Sequence, residues 1–576
     1  MSLNRSLAGL IDTSGDVKST SLDNVPPSGL DSAQVLSIAG GLTVYATLDD
    51  LPTSGLTSGD QAFITATNRI YVSNGSGWYS VALLNATPRL TIDPTGTVVL
   101  ATDGSTPTVI TLTGTDSDNA DANLVYSVES DGSFGGLATL SQDSSVFTIT
   151  PLAEGSATTT SSTLTFKVSD GISFGSGTTT FSLTFGPDWT ATPTETKIIA
   201  SDGATGDRFG RDTAISGNGL YAISGVYWEN DNGNRAGAAY IFAKSGNTWS
   251  QQDKIFASDA QLESWFGESV AINSDGTYAV VGASQEDTNG VQAGAAYIYT
   301  RSGSTWTQQQ KIVGTDTAGG DYFGSKVAIN DDATYIAVGA PFENAVYIFT
   351  RSGSTWTQQA KCQPLDGPFN TQFGTSLEIN SDGTYFITGD SSKTGGGAAY
   401  VFTRSGSTWT QQAKLVSSDL QASDYFGYDV ALNSDATYAI VGAAFEDTGQ
   451  SNAGAAYIFT RSGSTWTEQA KIQANDVTGN AYFGTGTSMN SSGDHVIIGA
   501  SGLNTRIGSV YIFERSGSTW TQKVKLRGSD ATTTYSDGGT KNVSMSDDGS
   551  TVIYAHYTQT VSSVLEIGAA YIFEVG

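Results

Sequence analysis

Residues 293–312 read AGAAYIYTRSGSTWTQQQKI, and the chain repeats that phrase with small changes, at 236–255 as AGAAYIFAKSGNTWSQQDKI and at 453–472 as AGAAYIFTRSGSTWTEQAKI. Six near-copies occur, and a seventh, GAAYIF at 568–573, has no Ser-Gly turn after it. Aromatic-Gly pairs upstream of each copy set the period. Their Phe residues stand at 209, 266, 323, 373, 426 and 483, intervals of 50 to 57 residues, which is the size of one four-stranded unit of a repeat protein.

Within a unit the pattern spells four strands, A to D. In the second copy FGESVAIN, 266–273, turns through Ser274-Asp275-Gly276 into TYAVVGA, and Asp-Gly between apolar runs is a hairpin signal. AGAAYIYT and TWTQQQKI then flank the turn at Arg301-Ser302-Gly303-Ser304. Strands B and C are apolar at nearly every position, so both of their faces are expected to be covered. Strand D alternates on paper, with Trp306, Gln308, Gln310 and Ile312 on one face and Thr305, Thr307, Gln309 and Lys311 on the other. That pattern predicts a polar, Lys-bearing outer edge.

Seven such units predict a seven-bladed β-propeller. The seventh lacks a strand D, while TETKIIASD, 194–202, matches QQQKIVGTD, 308–316. The reading is therefore a ring closed by strand 194–200, paired with Tyr571–Glu574. Six units carry a Trp, at 249, 306, 356, 409, 466 and 520. These are expected to pack rather than bind, each burying about 150–250 Å².

Composition limits what such a chain does. Abundant Gly and Thr favour strands over helices. The formal charge of −29, from 27 basic and 56 acidic residues, opposes nucleic acid and anionic membrane surfaces. A single Cys excludes an intrachain disulfide framework. The opening MSLNRSLAGLIDTSGDVKSTSLDN has no apolar run of signal-peptide length, and no stretch of about 18 apolar residues marks a membrane span. Export by another route, such as release in a virus particle, is the expectation.

Phe323-Gly324 followed by Gly339-Ala340-Pro341 resembles the FG-GAP repeat, so residues 194–576 resemble the propellers of that family, integrin α-subunits among them. In the family calcium often sits in the A–B hairpin. Here that hairpin is only Asn273-Ser274-Asp275-Gly276, or Asn380-Ser381-Asp382-Gly383, too poor in carboxylates for six or more oxygen ligands, and it reads as a turn. Asp202, Asp259, Asp316, Asp366, Asp419, Asp476 and Asp530 recur once per unit in the D-to-A connections. They read either as turn caps or as an acidic face for a cation or basic partner. Arg301, Arg351, Arg404, Arg461 and Arg515 lie in the C–D hairpins, which predicts an electrically two-sided disc. The residues expected to meet a partner are Trp228, Glu286, Asp287, Phe342, Glu343, Glu446 and Asp447, all in B-to-C loops.

The N-terminal third divides into an extended arm, 1–40, a small β-meander module, 41–86, and a β-sandwich, 87–187, ahead of the propeller, 188–576. The arm and module, from SLNRSLAGLIDTSGD to WYSVAL, look like modules near the start of virion proteins of marine tailed phages, cyanophages especially. TGTDSDNADANLVYSV, 113–128, is similar to the cadherin pattern, which makes the sandwich Ig/cadherin-like. That resemblance implies calcium held by Asp116, Asp118 and Asp121.

Catalytic signatures are not found. His495 and Cys362 stand where other copies have Tyr278 and Ile312, and His556 has no Ser or Cys partner close in sequence. No phosphate loop, Cys-His metal spacing or nucleophile elbow is seen. The expected function is that of a virion fibre or appendage: the N-terminal region anchors it to other virion proteins, the sandwich is a spacer, and the propeller loops bind a host-surface protein or glycan. A homo-oligomer is expected of a fibre, although no heptad stretch specifies one. Architectural or capsid-decorating protein and bacterial surface adhesin are the alternative readings.

Overall fold

The computed structural model describes residues 43–67, 69–81, 87–94, 97–99, 108–116, 124–129, 138–151, 159–170, 173–184, 187–367, 372–447, 449–476, 478–502, 508–531, 542–561 and 566–575. Apart from one 3-10 turn at Leu48–Asp50, every regular element among them is a strand. The chain forms two compact units, Met1–Phe185 and Gly186–Gly576. The arm, 1–40, lies outside the described residues.

In the first unit Thr43–Tyr45, Ser58–Ile64, Arg69–Asn74 and Trp78–Val81 form one four-stranded sheet. It is a meander only in part, because Thr43–Tyr45 runs parallel to Ala62–Ile64. The 3-10 turn, capped by Thr47 and Asp50, carries the chain between these two strands. Ala62, Ile64 and Tyr71 pack with Leu51 beneath it. Two further four-stranded sheets, built from strands between Arg89 and Thr184, share one core of Ile110, Leu112, Phe147, Ile149, Leu164 and Phe166. The alternation along Thr108–Thr115, inward at every second residue, is what a half-buried strand dictates.

Among its described residues the second unit holds seven four-stranded sheets, each in the order A-B-C-D. Strands B are buried along almost their whole length, as in Tyr278–Ala283, and strands C through their first five residues, as in Ala295–Ser302, because a neighbouring sheet covers either face. Each strand A touches the strands A of the two adjacent sheets, and that of the first sheet, Thr213–Ile215, touches that of the seventh, Val543–Met545. The series closes on itself around an axis. In the seventh sheet the outer strand is Thr194–Ile198, antiparallel to Ala570–Glu574.

The FG and GA glycines are the joints of this ring. Phe266 is fully buried, edge-on to Tyr297 and Tyr299. Gly267 then turns the chain at φ +92°, and a Cβ there would stand 2.3 Å from Ala238 O of the preceding sheet. A Cβ on Gly282, at the end of strand B, would stand 1.9 Å from Gly324 O of the next sheet. The same Gly-on-Gly approach joins Gly225 to Gly267, Gly389 to Gly427 and Gly442 to Gly484. The motif is thus a steric requirement on how closely two sheets meet. At the closing joint Ala555 takes the strand B position, against Gly210.

Strand D corrects the sequence reading. A bulge between Gln308 and Gln310 breaks its alternation. Trp306 packs toward the preceding sheet with Tyr297 and Ile241, while Ile312 packs toward the following one with Tyr347 and Trp356. The Trp indoles bridge sheets: Trp306 Nε1 donates to Gln252 Oε1 at 2.9 Å and Trp356 Nε1 to Gln309 Oε1 at 3.0 Å. Strand D is a seam as well as an edge.

Candidate binding face and axial channel

At the A–B hairpin end the expected turns are turns. Asn273 Oδ1 accepts the Thr277 and Tyr278 backbone N–H groups, and its Nδ2 donates to Asp275 and to Asp331 O of the next sheet. Backbone bonds continue the chain of hairpins, Asp547 N donating to Gly217 O at 2.8 Å across the closing joint. Among the described residues no group of three or more His, Cys, Asp or Glu is placed to hold a metal. Asp116 follows the strand Thr108–Thr115, whereas Asp118 and Asp121 lie outside the described residues.

The acidic series is neither a set of turn caps nor an open acidic face. Each Asp of the D-to-A connections meets a Lys of the outer strand of the sheet it enters, and in most sheets a Tyr of strand C. Asp259 accepts from Tyr297 Oη at 2.8 Å and Lys311 Nζ at 2.6 Å. Asp419 does so from Tyr457 and Lys471, and Asp530 from Tyr571 and from Lys197 of the closing strand. Burial alone would raise the Asp259 carboxyl, but the Lys311 and Tyr297 hydrogen bonds hold it below its ordinary value. Burial and Asp259 together hold the Tyr297 hydroxyl well above its usual range. The Arg series is equally internal. Arg301 stacks 4.1 Å above the Tyr221 ring of the preceding sheet and donates to Gly276 O; Arg404 and Arg515 repeat this over Tyr335 and Tyr438. Both series are thus paired within the ring, with the Asp side chains still about half exposed.

The B-to-C loops share an end with these connections, since Lys254 reaches Asp202 of one and Glu229 and Asp231 of the other. Three of the residues expected to meet a partner are therefore corrected. Glu286 and Glu446 are buried, at 1% and 2% exposure, and pair with Lys311 and Lys471 at 2.9 and 2.8 Å. Glu343 pairs with Lys361. A carboxylate recruited to neutralise a half-buried ammonium is not available to a partner. Trp228 is half-buried between the guanidinium groups of Arg208 and Arg235, 3.7 and 4.4 Å from its ring. Asp287, Asp447 and Phe342 stand exposed, Phe342 at 63%.

A clasp not anticipated from the sequence orders this end. The residue before FG is left-handed at Arg208, Trp265, Tyr322, Tyr425 and Tyr482, with φ between +52° and +63°, a conformation costly for bulky side chains. Three of them reach over the loop after strand B of their own sheet, Tyr322 onto Phe342 and Tyr425 onto Phe445, both with centroids 4.7 Å apart, and Arg208 onto Trp228, while Trp265 and Tyr482 meet Tyr227 and Phe445 of the preceding sheet at 5.6 and 5.0 Å. Gln372 and Ser392 make the polar version at 3.1 Å. The signal was present, since four of the six FG pairs have an aromatic residue before them.

Strand A residues line the axial channel, where most copies place Ala or Ser. Glu378 replaces Ala271 and Ala328 of earlier copies in a channel section of about 160 Å³. Burial pushes its carboxyl up to about 8, with Lys326 opposing. Lys326 Nζ stands 3.1 Å from Asp212, and Arg211 bonds Glu268 at 3.2 Å.

The FG-GAP repeat matches at 193–242, 249–299, 306–354, 409–459 and 466–513. Each matched segment begins at or near an outer strand and runs into the next sheet, the same linkage through which the ring closes. With the repeated sheets, these matches make the second unit a repeat β-propeller. Among curated proteins there is no match. The chain is similar to the Cps50 (Swd1) β-propeller domain of Myceliophteria thermophila, at 10% identity, TM-score 0.43, over 66% of this chain and 100% of that one. It is also similar to the WD40 repeats of RRP9, at 9%, TM-score 0.43, over 68% and 99%. A third is the periplasmic gluconolactonase of Pseudomonas aeruginosa, at 12%, TM-score 0.39, over 66% and 94%. At such identities nothing about activity passes to this chain.

Proposed function

We propose that this protein is a non-enzymatic attachment protein of a tailed phage virion, in which a seven-bladed propeller presents its B-to-C loops to the host surface. The observation that carries the reading is the clasped loop end. A closed ring with strained, aromatic-braced loops keeps a broad surface rigid, and Phe342, Asp287 and Asp447 project from it. The Ig/cadherin-like sandwich acts as spacer and the N-terminal module as anchor to other virion proteins, in a homo-oligomeric fibre or appendage. The phage setting rests on the resemblance of the arm and module.

Labelled full-length protein incubated with a panel of marine bacteria tests attachment. Saturable binding to at least one strain, lost when the 342–344 and 447–452 loops are exchanged for Gly-Ser linkers, is the expected result. Immunogold labelling of particles separates this from the architectural reading, under which the protein decorates virions but binds no cell. Light scattering of the purified chain reads the oligomeric state.

A further inference from the structure

Four Asn-Gly pairs stand in the chain, at Asn74, Asn218, Asn232 and Asn289. Asn is a chemically labile residue, because its side-chain amide carbon can be attacked by the backbone nitrogen that follows it, and Gly, with no Cβ, leaves that nitrogen most open. Sequence therefore ranks the four alike. The fold does not.

Two of the four are locked. Asn74 Oδ1 accepts from Ser76 N at 2.9 Å and Gly77 N at 3.0 Å, while its Nδ2 donates to Tyr79 Oη at 2.9 Å. Asn218 Oδ1 accepts from Ser216 Oγ at 2.7 Å and Leu220 N at 2.9 Å. A side-chain amide used in this way to shape its own turn is not free to swing onto the next nitrogen. Asn232 and Asn289 occupy one position in two copies, at the tips of the B-to-C loops of the first and second sheets. Both are exposed, and neither side chain has a hydrogen-bond partner among the described residues. Their loops are held from another residue, Asn230 Oδ1 accepting from Arg235 N at 2.9 Å and Asp287 Oδ1 from Gln292 N at 2.7 Å. The fifth sheet makes the same bond from Asn452 N to Asp447 at 2.6 Å with Gly449 in the place of Asn289, so the loop has no need of that amide. The Gly N–H is tied in a turn at all four pairs. What separates them is the side chain.

We propose that Asn232 and Asn289 are sites of spontaneous deamidation, which re-shapes the loop end and adds negative charge to it as the protein ages. The Gly nitrogen gives its proton to solvent and bonds to the Asn side-chain carbon. The side chain's own C–N bond breaks, and its nitrogen takes up a proton and leaves as ammonia. Water then opens the cyclic imide, at the side-chain carbonyl to give aspartate or at the backbone carbonyl to give isoaspartate. One water enters and one ammonia departs, with no oxidation or reduction. Either product sets a carboxylate beside exposed Asp231 or Asp287. Isoaspartate also lengthens the backbone by one carbon where there is no slack. A Cβ on Gly233 would stand 2.7 Å from Leu262 Cδ2, and one on Gly290 2.8 Å from Gly319 N, each in the connection entering the next sheet. This chemistry goes beyond the attachment reading and does not depend on it.

The test is peptide mapping by mass spectrometry of the full-length chain aged in mildly alkaline buffer, with fragmentation that separates aspartate from isoaspartate. Asn232 and Asn289 are expected to convert roughly tenfold faster than Asn74 and Asn218, protection of the latter pair coming from their turn hydrogen bonds. In denaturant the four rates should converge. The Asn232→Ser/Asn289→Ser variant should melt as the parent does and lose the acidic species that accumulate on isoelectric focusing of the aged protein; Asn289→Ser alone should lose part of them. Equal rates at all four sites in the folded chain, no conversion at Asn232 and Asn289, or a difference that persists in denaturant overturns the proposal.

Discussion

The second and seventh sheets are built on the same four-strand plan but joined to the ring by different means. The second sheet takes all its strands from one stretch of chain, and its joint to the third is Gly282 against Gly324. The seventh borrows Thr194–Ile198 for its outer strand and meets the first through Ala555 and Gly210. Where the second has Ala283 at the end of strand B, the seventh has His556, whose ring nitrogens are both buried with no hydrogen-bond partner among the described residues. The regular joint is selected for close approach. The closing joint tolerates larger groups because its registry is set elsewhere, by the borrowed strand and the Lys197–Asp530–Tyr571 contact.

The largest expected effect comes from deleting residues 1–202, which removes the borrowed strand. Loss of the single cooperative unfolding transition, at a cost on the order of 5 kcal/mol or more, is expected in calorimetry; a truncated propeller that melts like the intact one breaks the comparison. Next, Gly282→Val forces a Cβ against Gly324 O and should destabilise by about 3 kcal/mol or more, whereas Ala555→Gly should change stability by no more than about 1 kcal/mol. Denaturant midpoints of the two variants read this directly.

Protonation sharpens the contrast. Burial, with Arg527 adding to it, lowers the His556 imidazole to about 4. Between that value and the ordinary one the unfolded chain binds a proton that the folded chain does not. Stability is therefore lost as pH falls from about 6.5 to about 4, by up to about 3 kcal/mol, and His556→Ala should flatten that slope. Glu378 has the opposite sign. Its folded value of about 8 means stability is lost as pH rises from about 4.5 toward 8, and Glu378→Ala should remove that loss.

Lysine substitutions separate sheets by their loop carboxylate, and one of them gives the smallest effect. Lys311→Met strands Glu286, 1% exposed, and should cost about 3 kcal/mol. Lys525→Met leaves only the half-exposed Asp476 and should cost under about 1 kcal/mol.

The repeat period, the four-strand unit and the borrowed strand were legible because each follows from covalent spacing and from alternation of apolar residues. The packing role of the Trp residues was legible too, since a residue recurring at one place in six copies serves something the copies share. The strand D bulge was not. TWTQQQKI alternates perfectly on paper, and only the position of the next sheet's Trp356 makes Gln309 and Gln310 face it together. Glu286 and Glu446 were misplaced for the same kind of reason. In sequence a loop carboxylate looks exposed, but here Lys311 and Lys471 fold back from the outer strand and draw it in.

By itself, the sequence determined the repeating strand unit and the place where the ring borrows a strand, because hydrogen-bond periodicity and turn chemistry are local. Tertiary structure alone decided which charges remain free and which line the axis. Pairing Asp with Lys across a connection, or setting Arg211, Ser325 and Thr375 around one cavity, depends on distances between residues 45 or more positions apart in the chain, and no local pattern encodes those.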